Sequence, residues 1–286
     1  MKPKEKPFEY QLDREDIPKD VVFDIITFNT RNTEGYAKAL YKSMTKLSSG
    51  KIHLNFMCTY ATNCNYQLKE FKELPVYIPE DLANHAKCIN ESLKCLDIIE
   101  NDYVIICDCD IIMMMKNWDI VVYKELQNID CFGIAYPKTT YRYWNLPTTR
   151  FMVMRKNLIS KIDFSCGDKV ITITEKNKKI YNRSIGSEIH QDTGWKIPEY
   201  LYSNKLKSLT LPVTLISDIY YSLRLSAPII ERYGGNTWNM NQHNYKGYAF
   251  LTHCNGGRKS TIDKRFKGEW YKATSSYIKQ RYNVNI

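Results

Sequence analysis

Cysteine pairs at metal or disulfide spacing are missing from this chain. Its nine cysteines (58, 64, 88, 95, 107, 109, 131, 166 and 254) are odd in number, nowhere form Cys-x-x-Cys and mostly sit in apolar periodic segments. Neither a disulfide framework nor a zinc ribbon is indicated, and they read as reduced core thiols. Glycine (12) and proline (10) are too scarce in 286 residues for a low-complexity or collagen-like chain. No apolar run approaches the roughly 18 residues of a spanning helix, and Met1 to Glu9 alternates Lys, Pro and Glu without a signal-peptide core. The expectation is a protein that stays in the cytoplasm. The first strand-to-helix turn lacks Gly-x-Gly-x-x-Gly, and Gly-x-x-x-x-Gly-Lys-Ser/Thr occurs nowhere, which argues against a dinucleotide enzyme or a P-loop NTPase.

What is present is material for a core: 43% hydrophobic residues and 22 Tyr. The formal charge of +10 suggests an anionic partner, whether nucleic acid, membrane surface or phosphorylated small molecule. Residues 1–20 are charged and Pro-punctuated, a surface arm. Val21 to Phe28 is then a β-prone run, followed by the polar turn Asn29 to Asn32. Thr33 and Glu34 suit a helix start; Ala37, Leu40, Met44 and Leu47 give it an apolar face, and Ser48-Ser49-Gly50 stops it. Ile52 to Cys58 is a second strand, and a short third lies near Pro75 to Ile78. Asp81 can cap a helix whose Leu82, Ala86, Ile89, Leu93 and Leu96 recur at helical spacing. Tyr103 to Cys107 is near-continuously apolar, the pattern of a strand buried on both faces of a parallel sheet. Alternating strands and helices predict a doubly wound α/β layer. Beyond Asp130 the pattern is less regular, with strands near Cys131 to Tyr136 and Arg150 to Met154, a basic polar stretch over 169–183 and a helix near Trp195 to Leu206.

Asp108-Cys109-Asp110 ends the buried strand. Side chains alternate there, so both carboxylates point one way and Cys109 the other. Adjacent carboxylates repel unless a cation sits between them or one is protonated, and a hard divalent ion is the natural occupant. In open α/β sheets ligands bind beyond the carboxyl ends of the strands, where this pair lies. About one Asp-x-Asp is expected by chance in such a chain, so the weight comes from the five apolar residues before it and the α/β half before them.

The stretch Asn84-His85-Ala86-Lys87-Cys88-Ile89-Asn90-Glu91-Ser92-Leu93, followed by Asn101-Asp102-Tyr103-Val104-Ile105-Ile106-Cys107-Asp108-Cys109-Asp110, resembles the helix and strand before the Asp-x-Asp of GT-A nucleotide-sugar glycosyltransferases. Trp118 fits the family's aromatic after the pair. The likeness runs from about Val21 to Arg258, clear in the first 155 residues and thin afterwards. It implies an α/β, GT-A-like single domain: a Rossmann-like, mostly parallel sheet with helices on both faces and an irregular acceptor-binding second half. A nucleotide-sugar-binding half would cover 21–136, an acceptor half 137–258, and a basic aromatic tail 259–286.

The resemblance further implies a metal-dependent transferase of glycan or glycoconjugate synthesis, using Mn²⁺ or Mg²⁺ and moving a sugar from a nucleotide-sugar donor to a hydroxyl of a glycan, lipid-linked or protein acceptor. Asp110 would be a direct metal ligand, and Asp108 would contact the ribose or a metal-bound water. His253, in Ala249-Phe250-Leu251-Thr252-His253-Cys254-Asn255-Gly256-Gly257-Arg258, is similar to the family's late metal-binding His, with Arg258 beside the phosphates. Asp192, in His190-Gln191-Asp192-Thr193-Gly194-Trp195, falls where the catalytic base would, with Glu188 and His190 as substitutes and Trp195 stacking on an acceptor sugar. Asp-Thr-Gly is also an ordinary helix N-cap. Thr27, Asn29 and Arg31 are candidates for the base or ribose, and His85 and Asn90 for the other side of the nucleotide. Inversion is favoured over retention.

Two rival readings stand against this one. A haloacid dehalogenase-like phosphotransferase also places Asp-x-Asp after a hydrophobic strand, but here the pair lies far from the first strand and no later Asp-Asp pair completes its metal site. A nucleic-acid or membrane-binding module would use the last 29 residues, where eight Lys and Arg face two acids and Phe266, Trp270, Tyr271, Tyr277 and Tyr282 are interleaved. A solvated or packed helix is the plainer reading of that stretch.

Overall fold

The computed structural model describes residues 12, 16–29, 33–61, 64, 66–74, 76, 85–96, 103–136, 141–214, 241–254 and 264–286. Strand β1 (Val22–Asn29) lies parallel between β2 (His53–Tyr60) and β4 (Tyr103–Cys107), with Ile25 opposite both Phe56 and Ile105. The two-residue β3 (Lys72–Glu73) extends the edge beyond β2. On the other side, β7 (Phe151–Arg155) runs antiparallel between β4 and β6 (Cys131–Ile134), and β10 (Ser208–Leu211) closes the edge parallel to β6. The seven-stranded order is therefore β10-β6-β7-β4-β1-β2-β3. This is the mixed α/β, mostly parallel sheet that the alternating pattern predicts.

Period-2 alternation sends successive residues of each central strand to opposite faces, and the core divides accordingly. On one face, Phe23, Ile25 and Ile105 meet Leu40, Met44 and Leu47 of α1 (Glu34–Leu47) and Val121 and Val122 of α2 (Trp118–Glu125). On the other, Ile26, Val104 and Ile106 meet Ile89 and Leu93 of α3 (His85–Lys94), Ile159 of α4 (Lys156–Ile159) and Ile197 and Leu201 of α5 (Ile197–Ser203). Burying each such side chain stabilises by about 1.5–3 kcal/mol. Helix α1 begins and ends where its sequence signals place it. Helix α5 is shorter than the Trp195 to Leu206 expectation, because Gly194 to Lys196 form the turn that leads into it. The cap expected at Asp81 lies outside the described residues, as do positions 75, 77 and 78 of the expected third strand; Val76 is not in a strand, and the short strand next to β2 is instead Lys72–Glu73.

A second, antiparallel sheet joins distant parts of the chain. Strand β13 (Tyr248–His253) pairs on one side with β12 (Asn241–Tyr245), which pairs with β11 (Val213–Thr214), and on the other with β5 (Ile111–Met113) just after the Asp-x-Asp. A small hairpin, β8 (Val170–Thr172) with β9 (Glu188–His190), occupies the basic polar stretch, with the one-turn helix α6 (Lys178–Tyr181) between its strands.

The basic, aromatic end is a helix, α7 (Lys264–Tyr282). Trp270 is 1% exposed and Ile278 0%, both joining the core on the α1 face. The Trp270 indole donates to Thr252 Oγ1 (3.2 Å), and Lys46 Nζ donates to the Asn285 carbonyl (2.8 Å). Trp270 is thus spent on packing, with Tyr271, Tyr277 and Tyr282 partly buried against the same core, while Lys272, Lys279 and Arg281 are exposed. Among the described residues no helix is long and apolar enough to cross a membrane.

Candidate active site

The Asp-x-Asp lies at the carboxyl end of β4, where five fully buried residues leave the sheet. Asp108 is anchored by its backbone N–H, which donates to the Arg150 carbonyl (2.9 Å) at the head of β7. Cys109 and Asp110 then form a turn into β5. The carboxylates are brought to one side by this turn rather than by strand alternation, and Cys109 is buried as expected.

The third member arrives from the far end of the chain. Antiparallel pairing sets His253 opposite Ile111, and the Cys254 N–H donates to the Asp110 carbonyl (2.9 Å). His253 Nε2 is thereby held 3.1 Å from Asp110 Oδ1 and 3.2 Å from Asp108 Oδ2. One ligand atom from each residue lies within 4.8 Å of the others, a group able to hold a metal ion. Side-chain exposure falls from 26% at Asp108 to 14% at Asp110 and 3% at His253, so the group opens on the Asp108 side. Two carboxylate oxygens and an imidazole suit Mn²⁺ or Mg²⁺. Neither ring nitrogen of His253 makes an aligned hydrogen bond although both are buried, which fits an atom meant for a metal.

Electrostatics follow from this crowding. Burial works against ionised Asp108, but the His253 imidazole 3.2 Å away and the charges of His85 and Arg150 outweigh it and lower its pKa to about 2. Burial likewise works against a charged His253, yet Asp110 and Asp108 raise its pKa above the ordinary histidine value. The site is built to carry positive charge between two carboxylates. His85, at the start of α3, adds to it: its Nε2 is 3.5 Å from Asp108 Oδ1. Tyr36 stands on another side, its hydroxyl driven well above the usual phenol range by burial, with Cys254 and Asp110 beside it.

The other sequence-derived candidates fall in different places. Thr27 (2% exposed) and Asn29 (0%) are buried at the end of β1, as floor rather than surface. Asn90 ties α3 to the loop after α4: its Oδ1 accepts from Phe164 N–H (3.1 Å) and its amide donates to Ser165 Oγ (3.2 Å). Arg31 and Arg258 lie outside the described residues. The Trp195 indole donates to the Ser165 carbonyl (3.0 Å), and Lys196 lies 5.5 Å over its ring.

Asp192 sits in a separate cleft of about 540 Å³. Its Oδ1 accepts from the Thr193 N–H (2.6 Å), and the Trp195 N–H donates to its carbonyl (3.0 Å), closing a turn in which Gly194 takes φ +77°. Arg142 forms an ion pair with its Oδ2. Burial would raise the Asp192 pKa, but Arg142, with help from Thr193 and His85, lowers it below the ordinary carboxylate value. Glu188 and His190, the substitute bases, stand at the two ends of β9. Sequence reasoning missed Arg142, Arg150 and Tyr36, because each meets its carboxylate through contacts between distant segments. Tyr136 links two of them, with the Arg142 and Arg150 guanidinium carbons 5.0 and 4.8 Å from its ring centre.

No protein-family model and no curated protein sequence matches the chain. Among solved structures it is similar to the galactosyltransferase LgtC in complex with donor and acceptor sugar analogues, at 9% identity over 91% of this chain and 97% of that one, with a TM-score of 0.46. It is also similar to the mannosyltransferase PcManGT from Pyrobaculum calidifontis in complex with GDP-Man and Mn²⁺, at 7% identity over 94% and 77% of the two chains, with a TM-score of 0.38. A third likeness is to the bifunctional IspDF from Campylobacter jejuni, at 11% identity and a TM-score of 0.39; it covers 66% of this chain and 49% of that one, about half its length. The first two of these are glycosyltransferases by name.

Proposed function

We propose that this protein is a metal-dependent glycosyltransferase that moves a sugar from a nucleotide-sugar donor to a hydroxyl acceptor in glycan or glycoconjugate synthesis, with inversion. The observation that carries the reading is the convergence of Asp108, Asp110 and His253 at the carboxyl end of a parallel sheet. These three would hold Mn²⁺ or Mg²⁺, which when bound would neutralise charge on the departing nucleoside diphosphate. Asp110 and His253, the more buried pair, form the inner side of the site. Asp108 faces outward and is the one placed to meet ribose or a metal-bound water. Arg258 is assigned to the phosphates, and Arg31 to the base or ribose with Thr27 and Asn29 behind it.

Asp192 is assigned as the base that takes the acceptor proton. Its carboxylate is ionised at neutral pH because Arg142 favours that form, and one of its oxygens already accepts from the Thr193 N–H, so its orientation is fixed before an acceptor arrives. The protein is placed in the cytoplasm, with the exposed cations of α7 available for peripheral contact with an anionic membrane. The phosphotransferase reading asks for a free nucleophilic carboxylate at Asp108, whereas this one has His85 at 3.5 Å and His253 at 3.2 Å.

The test is thermal stability with UDP, GDP, CDP and ADP, each with and without Mn²⁺. A ligand at 100 times its dissociation constant stabilises by about 2.7 kcal/mol. A metal-dependent rise with one nucleotide supports the reading, and no rise with any of them overturns it.

A further inference from the structure

The cleft around Asp192 has a composition of its own. Tyr141 forms part of its wall and is 49% exposed, unusual for a large aromatic ring. The His190 ring lies against it, centroids 4.4 Å apart and planes tilted by 38°. The two are fixed to each other through the backbone as well, since the His190 N–H donates to the Tyr141 carbonyl (3.2 Å). The same cleft is lined by the ion pair of Arg142 with Asp192, and the Arg142 guanidinium also lies 5.0 Å over the Tyr136 ring. The cleft therefore presents an exposed aromatic ring backed by an imidazole and, in the same lining, a fixed donor next to a fixed acceptor.

That combination matches a sugar ring. A pyranose has one face of C–H groups that stacks on an aromatic ring and a rim of hydroxyls that both donate and accept. A carboxylate held beside a guanidinium serves both functions of the rim. The formal charges in the lining do not favour an anion: Arg142 and Lys169 are matched by Asp168 and Asp192. The volume of about 540 Å³ falls within the roughly 300–1,000 Å³ of small-molecule sites. The cleft is linked to the carboxylate–imidazole group through the charge of His85. His85 is 3.5 Å from Asp108, and its charge is felt at Asp192.

We propose that this cleft is the acceptor subsite and that the acceptor is an uncharged carbohydrate, stacked on Tyr141 and His190 and hydrogen-bonded by Arg142 and Asp192. The role as acceptor subsite rests on the transferase reading; carbohydrate binding by the cleft does not. Tyr141, rather than Trp195, is the stacking residue, because Trp195 does not line the cleft and Lys196 lies over its ring.

The experiment is saturation-transfer NMR on the full chain with the methyl glycosides of glucose, galactose, mannose and N-acetylglucosamine and with lactose, each alone and with Mg²⁺ and a nucleoside diphosphate. The thermal-shift panel is run in parallel on the same samples. At least one saccharide is expected to receive saturation, with Tyr141→Ala weakening it tenfold or more, Tyr141→Trp restoring it, and the nucleotide-dependent thermal shift unchanged in both variants. No saccharide binding alongside an intact nucleotide shift overturns the carbohydrate acceptor and leaves the donor reading standing. Binding that survives both Tyr141→Ala and Arg142→Ala overturns the assignment to this cleft. Saccharide binding that Tyr141→Ala abolishes, in a protein with no nucleotide shift, supports the cleft as a sugar site and overturns the transferase reading.

Discussion

His253 Nε2 lies 3.1 Å from Asp110 Oδ1, a contact made by pairing the last strand of the antiparallel sheet with the three residues that follow the Asp-x-Asp. A second carboxylate, Asp108, is 3.2 Å from the same nitrogen. With both acids ionised, the imidazole must carry a proton or yield its place between them to a metal ion, and each outcome has a measurable signature.

Asp110→Ala removes an inner ligand, so the Mn²⁺-dependent part of any nucleotide-induced thermal shift should disappear while the protein stays folded. With the ligand near 100 times its dissociation constant, about 2.7 kcal/mol of stabilisation is at stake. Scanning calorimetry on wild type and variant checks it; a full metal-dependent shift in the variant removes Asp110 from the site.

Metal must displace a proton from His253, whose pKa is raised by Asp110 and Asp108 against the effect of burial. Mn²⁺ affinity should therefore fall as pH drops below the His253 pKa, approaching tenfold per pH unit. Titration calorimetry at several pH values, in buffers of different ionisation enthalpy, should show one proton released per ion. A pH-independent affinity would contradict the contact as described.

Asp192→Asn keeps the shape of the cleft and removes the carboxylate proposed as the base. Turnover should fall by about 10²–10⁴ with the metal–nucleotide shift intact. Loss of both in a folded variant would place Asp192 on the donor side instead.

Gly194 holds φ +77°, and a Cβ there would stand 2.7 Å from Thr149 Cγ2 and 2.9 Å from Ile197 Cδ1. Gly194→Ala should destabilise by about 1–3 kcal/mol and displace the turn that orients Asp192. Urea unfolding read beside activity tests this, since turnover should fall by more than the unfolded fraction explains.

His243 is fully buried in β12, with Nδ1 3.1 Å from the Leu211 carbonyl, and burial depresses its pKa to about 3. The unfolded chain binds that proton near pH 6.5 and the folded one does not. Stability is thus retained above about pH 6.5 and lost towards pH 3, at about 1.4 kcal/mol per pH unit from this group. His243→Asn should flatten that slope in urea titrations between pH 6 and pH 4.

Where backbone preference and burial act within a few residues, the chain is legible as a string. The apolar face of α1 was readable from Ala37, Leu40, Met44 and Leu47, all fully buried, and the buried β4 from five consecutive apolar residues. The acidic pair stood out by its place after that strand. The C-terminal segment misleads as a string, because counting its cations hides the fact that Trp270 and Ile278 point inward while the charges point out.

Local pattern alone shows that the chain forms an α/β layer and that Asp108 and Asp110 follow a fully buried strand, since period-2 and period-3.6 burial are local properties. Tertiary pairing was needed to see that β7 runs antiparallel within the sheet, that β13 pairs with β5 to bring His253 onto both carboxylates, and that Arg142 meets Asp192 in a cleft with an aromatic wall. These are pairings between segments far apart in the chain. Their register is set by which backbone hydrogen bonds and apolar faces can be satisfied together, a condition no window of sequence contains.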